Sequence, residues 1–256
     1  MPPTRRGFLS EGGLILFSLA SRPLLSVFPG TGTFGKSLQK GPAAVKRWAM
    51  VVNLTKCASQ KGCRDCIKVC HEIHNVPDFG NEKDEIKWIW TVPYAKVFPE
   101  QEQSLAEDLK EKPTIVFCDH CDNPPCVKVC PTGSTWRRED GVVMIDYHRC
   151  IGCRYCMAGC PYGSRSFNWK NPRTVLKNIN PNYPTRTKGV VEKCNFCVER
   201  LDEGLLPACV EACPEKAMLF GDLNAENSEL KKVLKSAHVV QRQPELGTKP
   251  SIYYVI

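Results

Sequence analysis

Sixteen cysteines fall in four runs of four along 256 residues. The first run is Cys57, Cys63, Cys66 and Cys70; the second is Cys118, Cys121, Cys126 and Cys130; the third is Cys150, Cys153, Cys156 and Cys160; the fourth is Cys194, Cys197, Cys209 and Cys213. Three runs close with Cys-Pro, at Pro131, Pro161 and Pro214, and no cysteine is left over. Thiolates are soft ligands that select zinc, copper or iron-sulfur cores. Four tight quartets ending in Cys-Pro predict four cubane 4Fe-4S clusters, and therefore one-electron transfer.

The third run reads C-x2-C-x2-C-x3-C-P, the spacing of bacterial ferredoxins. A C-x2-C-x2-C loop is short enough to wrap three thiolates around one cube. The fourth cysteine lies where a helical turn can begin, and in two-cluster ferredoxins it ligates the other cluster. The second and third runs are neighbours in sequence and predict one module; the first and fourth bracket it and predict another. On that exchange Cys118, Cys121 and Cys126 share a cluster with Cys160, and Cys150, Cys153 and Cys156 share one with Cys130. Likewise Cys57, Cys63 and Cys66 go with Cys213, and Cys194, Cys197 and Cys209 with Cys70. The expected result is a row of four clusters with all sixteen cysteines as ligands.

Other uses of cysteine fit less well. Structural zinc takes two cysteine pairs a loop apart, without the third close cysteine or the Cys-Pro ending. Disulfide frameworks serve domains too small to build a core, whereas this chain is 42% hydrophobic over 256 residues. A binuclear cluster also takes four thiolates, but the x2-x2-x3 run favours the cubane. The formal charge of +8 counts thiols as neutral. Four oxidised cores and sixteen thiolates together add roughly −8, so the loaded protein is close to neutral. The excess of Lys and Arg therefore reads as compensation for anionic clusters, not as a nucleic-acid footprint.

Thr4 to Ser10 (TRRGFLS), followed by apolar residues 14–20 and 24–28, has the form of a twin-arginine export signal. Arg22 and Pro23 interrupt the apolar stretch, which is too short to span a bilayer at about 20 residues. The expected location is the extracytoplasmic face of the membrane, with the protein peripheral. The fold class expected is α+β and loop-rich, with two bacterial-ferredoxin-like modules of short strands and helices around four 4Fe-4S clusters. The expected organisation is a signal segment at 1–35, an outer module from 45–75 with 188–222, an insertion at 76–110, an inner module at 111–170 and a C-terminal tail at 223–256. Strands are expected at 48–54, 114–117 and 142–147, the last after a hairpin turn at Glu139-Asp140-Gly141.

Residues 118–168 and 191–224 resemble the four-cluster electron-transfer subunits of the dimethyl sulfoxide reductase, polysulfide reductase and nitrite reductase systems. The leader, the run CRDCIKVCHEIHNVP at 63–77 and Trp88-Ile89-Trp90 most resemble the DsrO type, the exported iron-sulfur subunit of the DsrMKJOP complex, called Hme in archaeal sulfate reducers. The resemblance implies a non-catalytic subunit that relays electrons between menaquinol and a respiratory complex linked to sulfite or sulfate reduction. Its implied partners are an NrfD-type (DsrP-like) quinone-reactive membrane subunit and a periplasmic haem c subunit (DsrJ-like). The alternative it leaves is the electron-transfer subunit of a molybdopterin oxidoreductase.

The first run departs from the pattern. Five residues separate Cys57 from Cys63, and His71 replaces the proline after Cys70. Cys57 is thus open to two readings, as a full ligand or as a bystander. His71 and His74 read as hydrogen-bonding or surface residues, since four thiolates are already present. Trp88, Trp90, Tyr94 and Phe98, ahead of the acidic residues from Glu100 to Glu111, read as a lid over the first module or as a docking surface.

Overall fold

The computed structural model describes residues 45–104 and 110–256; the expected signal segment lies outside them. Elements are short throughout. The strands are β1 Trp48–Asn53, β2 Ile89–Pro93, β3 Pro113–Phe117, β4 Thr135–Arg137, β5 Val143–Ile145, β6 Ser166–Phe167, β7 Val191–Glu192, β8 Met218–Asp222, β9 Val239–Val240 and β10 Ile252–Val255. One four-stranded sheet runs β8-β1-β10-β9, and three two-stranded ribbons pair β2 with β3, β4 with β5 and β6 with β7.

Strand β1 is apolar on both faces because both are covered. Met50 and Val52 enter the main core, while Ala49 and Val51 pack with Leu230 on the other side. Leu230 belongs to the helix Glu229–Ser236, whose N-cap Ser228 accepts from the Lys231 amide at 3.2 Å. Residues 223–256, read from sequence as a tail, supply that helix, β9 and β10. Strand β10 lies parallel to β1, with Met50 opposite Ile252. The expected turn at 139–141 joins β4 and β5, and Gly141 takes the left-handed backbone it needs at φ +87°.

The aromatic group ahead of the acidic stretch is mostly core. Trp88, Tyr94 and Phe98 are buried, packed with Met50, Cys66, Cys70 and Phe220, and only Trp90 is partly exposed. That arrangement is the lid reading. Among the described residues no helix is long and apolar enough to cross a membrane.

Candidate metal centre

All sixteen cysteines are free thiols, and the turns that carry them share one geometry. In the second, third and fourth runs the residue before the second cysteine has a left-handed backbone, His120 at φ 40°, Gly152 at 70° and Phe196 at 59°, and Gly62 before Cys63 does so at 74°. A positive φ there curls the loop inward, and for His120 and Phe196 it costs some strain. Backbone amides already donate to sulfur, from Phe196 to Cys194 Sγ at 3.4 Å, Ala208 to Cys197 Sγ at 3.4 Å and Ala217 to Cys213 Sγ at 3.2 Å.

The Cys-Pro endings have a local cause. A residue before proline is steered away from the helical region. The helices Pro125–Lys128, Tyr155–Ala158 and Ala208–Glu211 accordingly stop just before Cys130, Cys160 and Cys213. After Cys70 stands His71, and the helix Asp65–Ile73 runs on another turn. That extra turn brings His74 beneath Cys70, with Nδ1 2.9 Å from the Cys70 carbonyl and Nε2 2.7 Å from Glu199 Oε1. Both ring nitrogens are engaged, so His74 orients its neighbours.

The thiols gather in four groups. Cys57, Cys63, Cys66 and Cys213 line one wide pocket open at the edge of the fold. Burial, and then the charges of Cys57, Cys213 and Cys63, push the Cys66 thiol up to about 12. Cys70, Cys194, Cys197 and Cys209 line a tight pocket in the main core. Burial first, then Cys194, Cys209 and Cys197, push Cys70 well above the usual thiol range. Cys118, Cys121, Cys126 and Cys160 form the third group; burial pushes Cys118 up to about 11, with Lys193 opposing and Cys126 and Cys160 adding to it. Cys130, Cys150, Cys153 and Cys156 line a fourth pocket. Burial works against Cys130, but hydrogen bonds from Ser134 Oγ at 3.2 Å, the Thr135 amide and Thr132 bring its thiol down to about 6.

The groups follow one another in order: Cys66 acts on Cys70 and Cys209, Cys118 on Cys194, and Cys126 on Cys156, so each group lies within electrostatic reach of the next. Between the two middle groups His120 stacks on Phe196 with ring centroids 3.7 Å apart. Sets of four convergent thiols, strained loops and amides aimed at sulfur fit a cubane, whose sulfurs need donors and whose irons need four thiolates. Cys57 sits in its group despite the five-residue spacing.

Sequence reasoning missed the buried bases around these groups, Arg165 and Lys193, and the buried pair Arg186–Glu192. The charge excess pointed to buried cations in general. For Lys193 the position directly before Cys194 was the available signal.

Gly152 makes a local test. A Cβ there would collide with the Gly189 carbonyl oxygen and press on Phe167, on a backbone at φ +70°. Gly152→Ala should lose iron and about 1–3 kcal/mol of stability. Gly163→Ala, at φ +64° with open space around it, should cost only the backbone strain of about 1 kcal/mol. Iron analysis and denaturant midpoints of the two variants check this; equal behaviour would remove the steric argument.

Comparison with known proteins agrees with this chemistry. The family model described as a 4Fe-4S dicluster domain matches residues 113–177 and 179–223. The chain is 42% identical over 229 residues to the Hdr-like menaquinol oxidoreductase iron-sulfur subunit 1 of Archaeoglobus fulgidus, covering 82% of this chain and 83% of that protein. It is 40% identical over 210 residues to a putative dimethyl sulfoxide reductase iron-sulfur subunit of Halobacterium salinarum, covering 81% and 78%. It is 35% identical over 236 residues to the menaquinone reductase iron-sulfur cluster-binding subunit of Nitratidesulfovibrio vulgaris, covering 82% and 88%. With four thiol quartets to hold four 4Fe-4S clusters, the chain belongs to the family of iron-sulfur electron-transfer subunits of the menaquinol oxidoreductase and dimethyl sulfoxide reductase type.

Proposed function

We propose that this chain is the exported, non-catalytic electron relay of a quinone-linked respiratory complex, of the DsrO type. Its sixteen cysteines ligate the clusters as the four groups assemble them: Cys57, Cys63, Cys66 and Cys213; Cys70, Cys194, Cys197 and Cys209; Cys118, Cys121, Cys126 and Cys160; Cys130, Cys150, Cys153 and Cys156. An NrfD-type (DsrP-like) quinone-reactive membrane subunit stands at one end of the row and a periplasmic haem c subunit (DsrJ-like) or another redox subunit at the other. The flow serves sulfite or sulfate reduction.

The observation that carries this reading is the succession of four thiol groups, each within electrostatic reach of the next. A row has two ends and so suits relay, whereas one isolated centre would suit storage or catalysis. The chain's own residues supply the thiolates, the amide donors and the dry surroundings; the clusters, when bound, supply the one-electron chemistry. The twin-arginine signature supports export after loading in the cytoplasm.

Isolation of the complex from native membranes tests the reading. Haem c and a membrane subunit are expected alongside this chain, with sixteen irons per chain and visible absorption that dithionite bleaches. Replacing Arg5 and Arg6 by lysine should leave a loaded protein in the cytoplasm. Molybdopterin in place of haem c would favour the second reading, a molybdopterin oxidoreductase subunit, for which the likeness to the Halobacterium protein speaks.

A further inference from the structure

Two basic side chains lie buried beside the thiol groups with no carboxylate against them. Arg165 is 4% exposed; its Nη2 donates to Cys126 Sγ at 3.1 Å and its Nη1 to Thr135 Oγ1 at 3.2 Å. Lys193 is 2% exposed, and its Nζ donates to the carbonyls of Val143 and Cys194, the latter at 2.7 Å. Among the described residues neither makes an ion pair, whereas the other deeply buried arginines do: Arg186 holds Glu192 at 2.5 Å and Arg242 faces Asp119 at 3.5 Å. An uncompensated buried cation is strongly unfavourable, so an anion must be present. The anions within reach are thiolates and the clusters they hold.

The two cations are placed at junctions. Burial works against the charged form of Arg165, yet the thiolates of Cys126, Cys156, Cys118 and Cys160 hold its guanidinium above the usual range. Those cysteines belong to the third and last groups of the row. Burial, with Arg165 adding to it, lowers the pKa of the Lys193 ammonium, and Cys118, Cys194 and Cys126 of the second and third groups oppose that, so its charge depends on the anions it faces. The group that shares both is Cys118, Cys121, Cys126 and Cys160. At the open end of the row the cation acting on Cys57 is Lys112, which is only partly buried.

We propose that Arg165 and Lys193 make the cluster at Cys118, Cys121, Cys126 and Cys160 the most easily reduced of the four, the position where an electron rests in the row. An oxidised cubane with four thiolates carries about −2, and one electron takes it to about −3. No bond forms or breaks and no proton moves; the electron comes from a neighbouring reduced cluster and leaves to the next. Fixed positive charge in a dry site favours the more negative state. Arg165 and Lys193 are positioning residues that act through the cluster. The inference rests on the ligand assignment under Proposed function.

Redox titration of the full loaded protein, followed by electron paramagnetic resonance, tests it. In the unaltered protein one cluster should reduce well ahead of the other three. Arg165→Met should lower the equilibrium constant for reducing that cluster at least tenfold, 59 mV for a one-electron couple. Lys193→Met should lower it in the same direction, and Arg165→Lys, which keeps the charge, should stay within threefold of the unaltered protein. An unmoved first-reduced signal at full iron content overturns the inference, as does Arg165→Lys shifting as far as Arg165→Met. Should both methionine variants lose iron, Cys160→Ser decides: it leaves both cations in place and replaces one thiolate of that cluster, so the first-reduced signal must vanish or shift, and its survival unmoved overturns the inference. Fewer than sixteen irons in the unaltered protein would instead sink the ligand assignment.

Discussion

Removing the iron from this protein should abolish its cooperative unfolding transition and leave an expanded chain. The main core contains Cys66, Cys70 and Cys209 outright, with Cys57, Cys194 and Cys213 packed against it, so the thiols of two groups are part of that core. What surrounds them cannot stand alone. The helices Pro125–Lys128, Tyr155–Ala158 and Ala208–Glu211 have four residues each, and among the described residues three of the four sheets have only two strands. Helices of one turn do not persist in water, and isolated two-stranded ribbons are marginal. A structural metal in a small domain contributes on the order of 10 kcal/mol of folding free energy, against a net stability of about 5–15 kcal/mol for a whole domain. Four metal groups lost together exceed that margin. Chelation under reducing conditions, followed by circular dichroism, dye binding and thermal unfolding, checks the expectation. A stripped protein that keeps a sharp transition would show that apolar packing holds the fold by itself.

Glu192→Ala in the loaded protein should cost about 3–5 kcal/mol, the scale of breaking one partner out of a buried ion pair. Arg186 Nη2 lies 2.5 Å from Glu192 Oε2 with both side chains fully buried. Glu192 also accepts from Trp88 Nε1 at 3.0 Å and from the Asn168 amide, while Arg186 donates to the His74 carbonyl and, at 2.9 Å, to the Asn75 carbonyl. The guanidinium stands 5.3 Å from the Trp88 ring centroid. This network ties the insertion, the end of the helix Asp65–Ile73, the loop before Gly189 and β7 into one unit. Truncating Glu192 leaves a buried cation with no counter-charge. Replacing both charges, as Arg186→Met with Glu192→Met, should cost less than Glu192→Ala alone, because no unpaired charge remains. Exposed pairs such as Lys231–Glu226, screened by water and salt, should contribute little by comparison. Guanidinium midpoints of the two variants, read from cluster bleaching, decide. A double variant less stable than the single one would mean that the network contributes through hydrogen bonding more than through charge balance.

The chemistry of this protein was legible in its chain because it is local. A C-x2-C loop, a helix that must stop before Cys-Pro, a hairpin at 139–141 and apolar runs at 48–54, 114–117 and 142–147 all follow from a few adjacent residues, and each corresponds to an element of the structure. The replacement of proline by His71 was visible too. Its consequence, an added helical turn that carries His74 to Glu199, needed the partner helix to be present.

The remainder was decided by contacts distant in sequence. The parallel pairing of β10 with β1 joins residues about two hundred positions apart and has no turn to announce it. The burial of Trp88, Tyr94 and Phe98 depends on β3 and β10 closing over them, and an aromatic cluster reads the same in sequence whether it faces water or core. The charge excess told that cations would neutralise the clusters. Only the tertiary structure selected Arg165 and Lys193 from 35 basic residues, because a charge becomes a counter-ion through burial and distance, and neither is written in the order of residues. Sequence alone determined which atoms could hold iron, since ligand type and short spacing are properties of the local chain. Tertiary structure decided which thiols meet and which charges lie between them, since those depend on how separate segments pack.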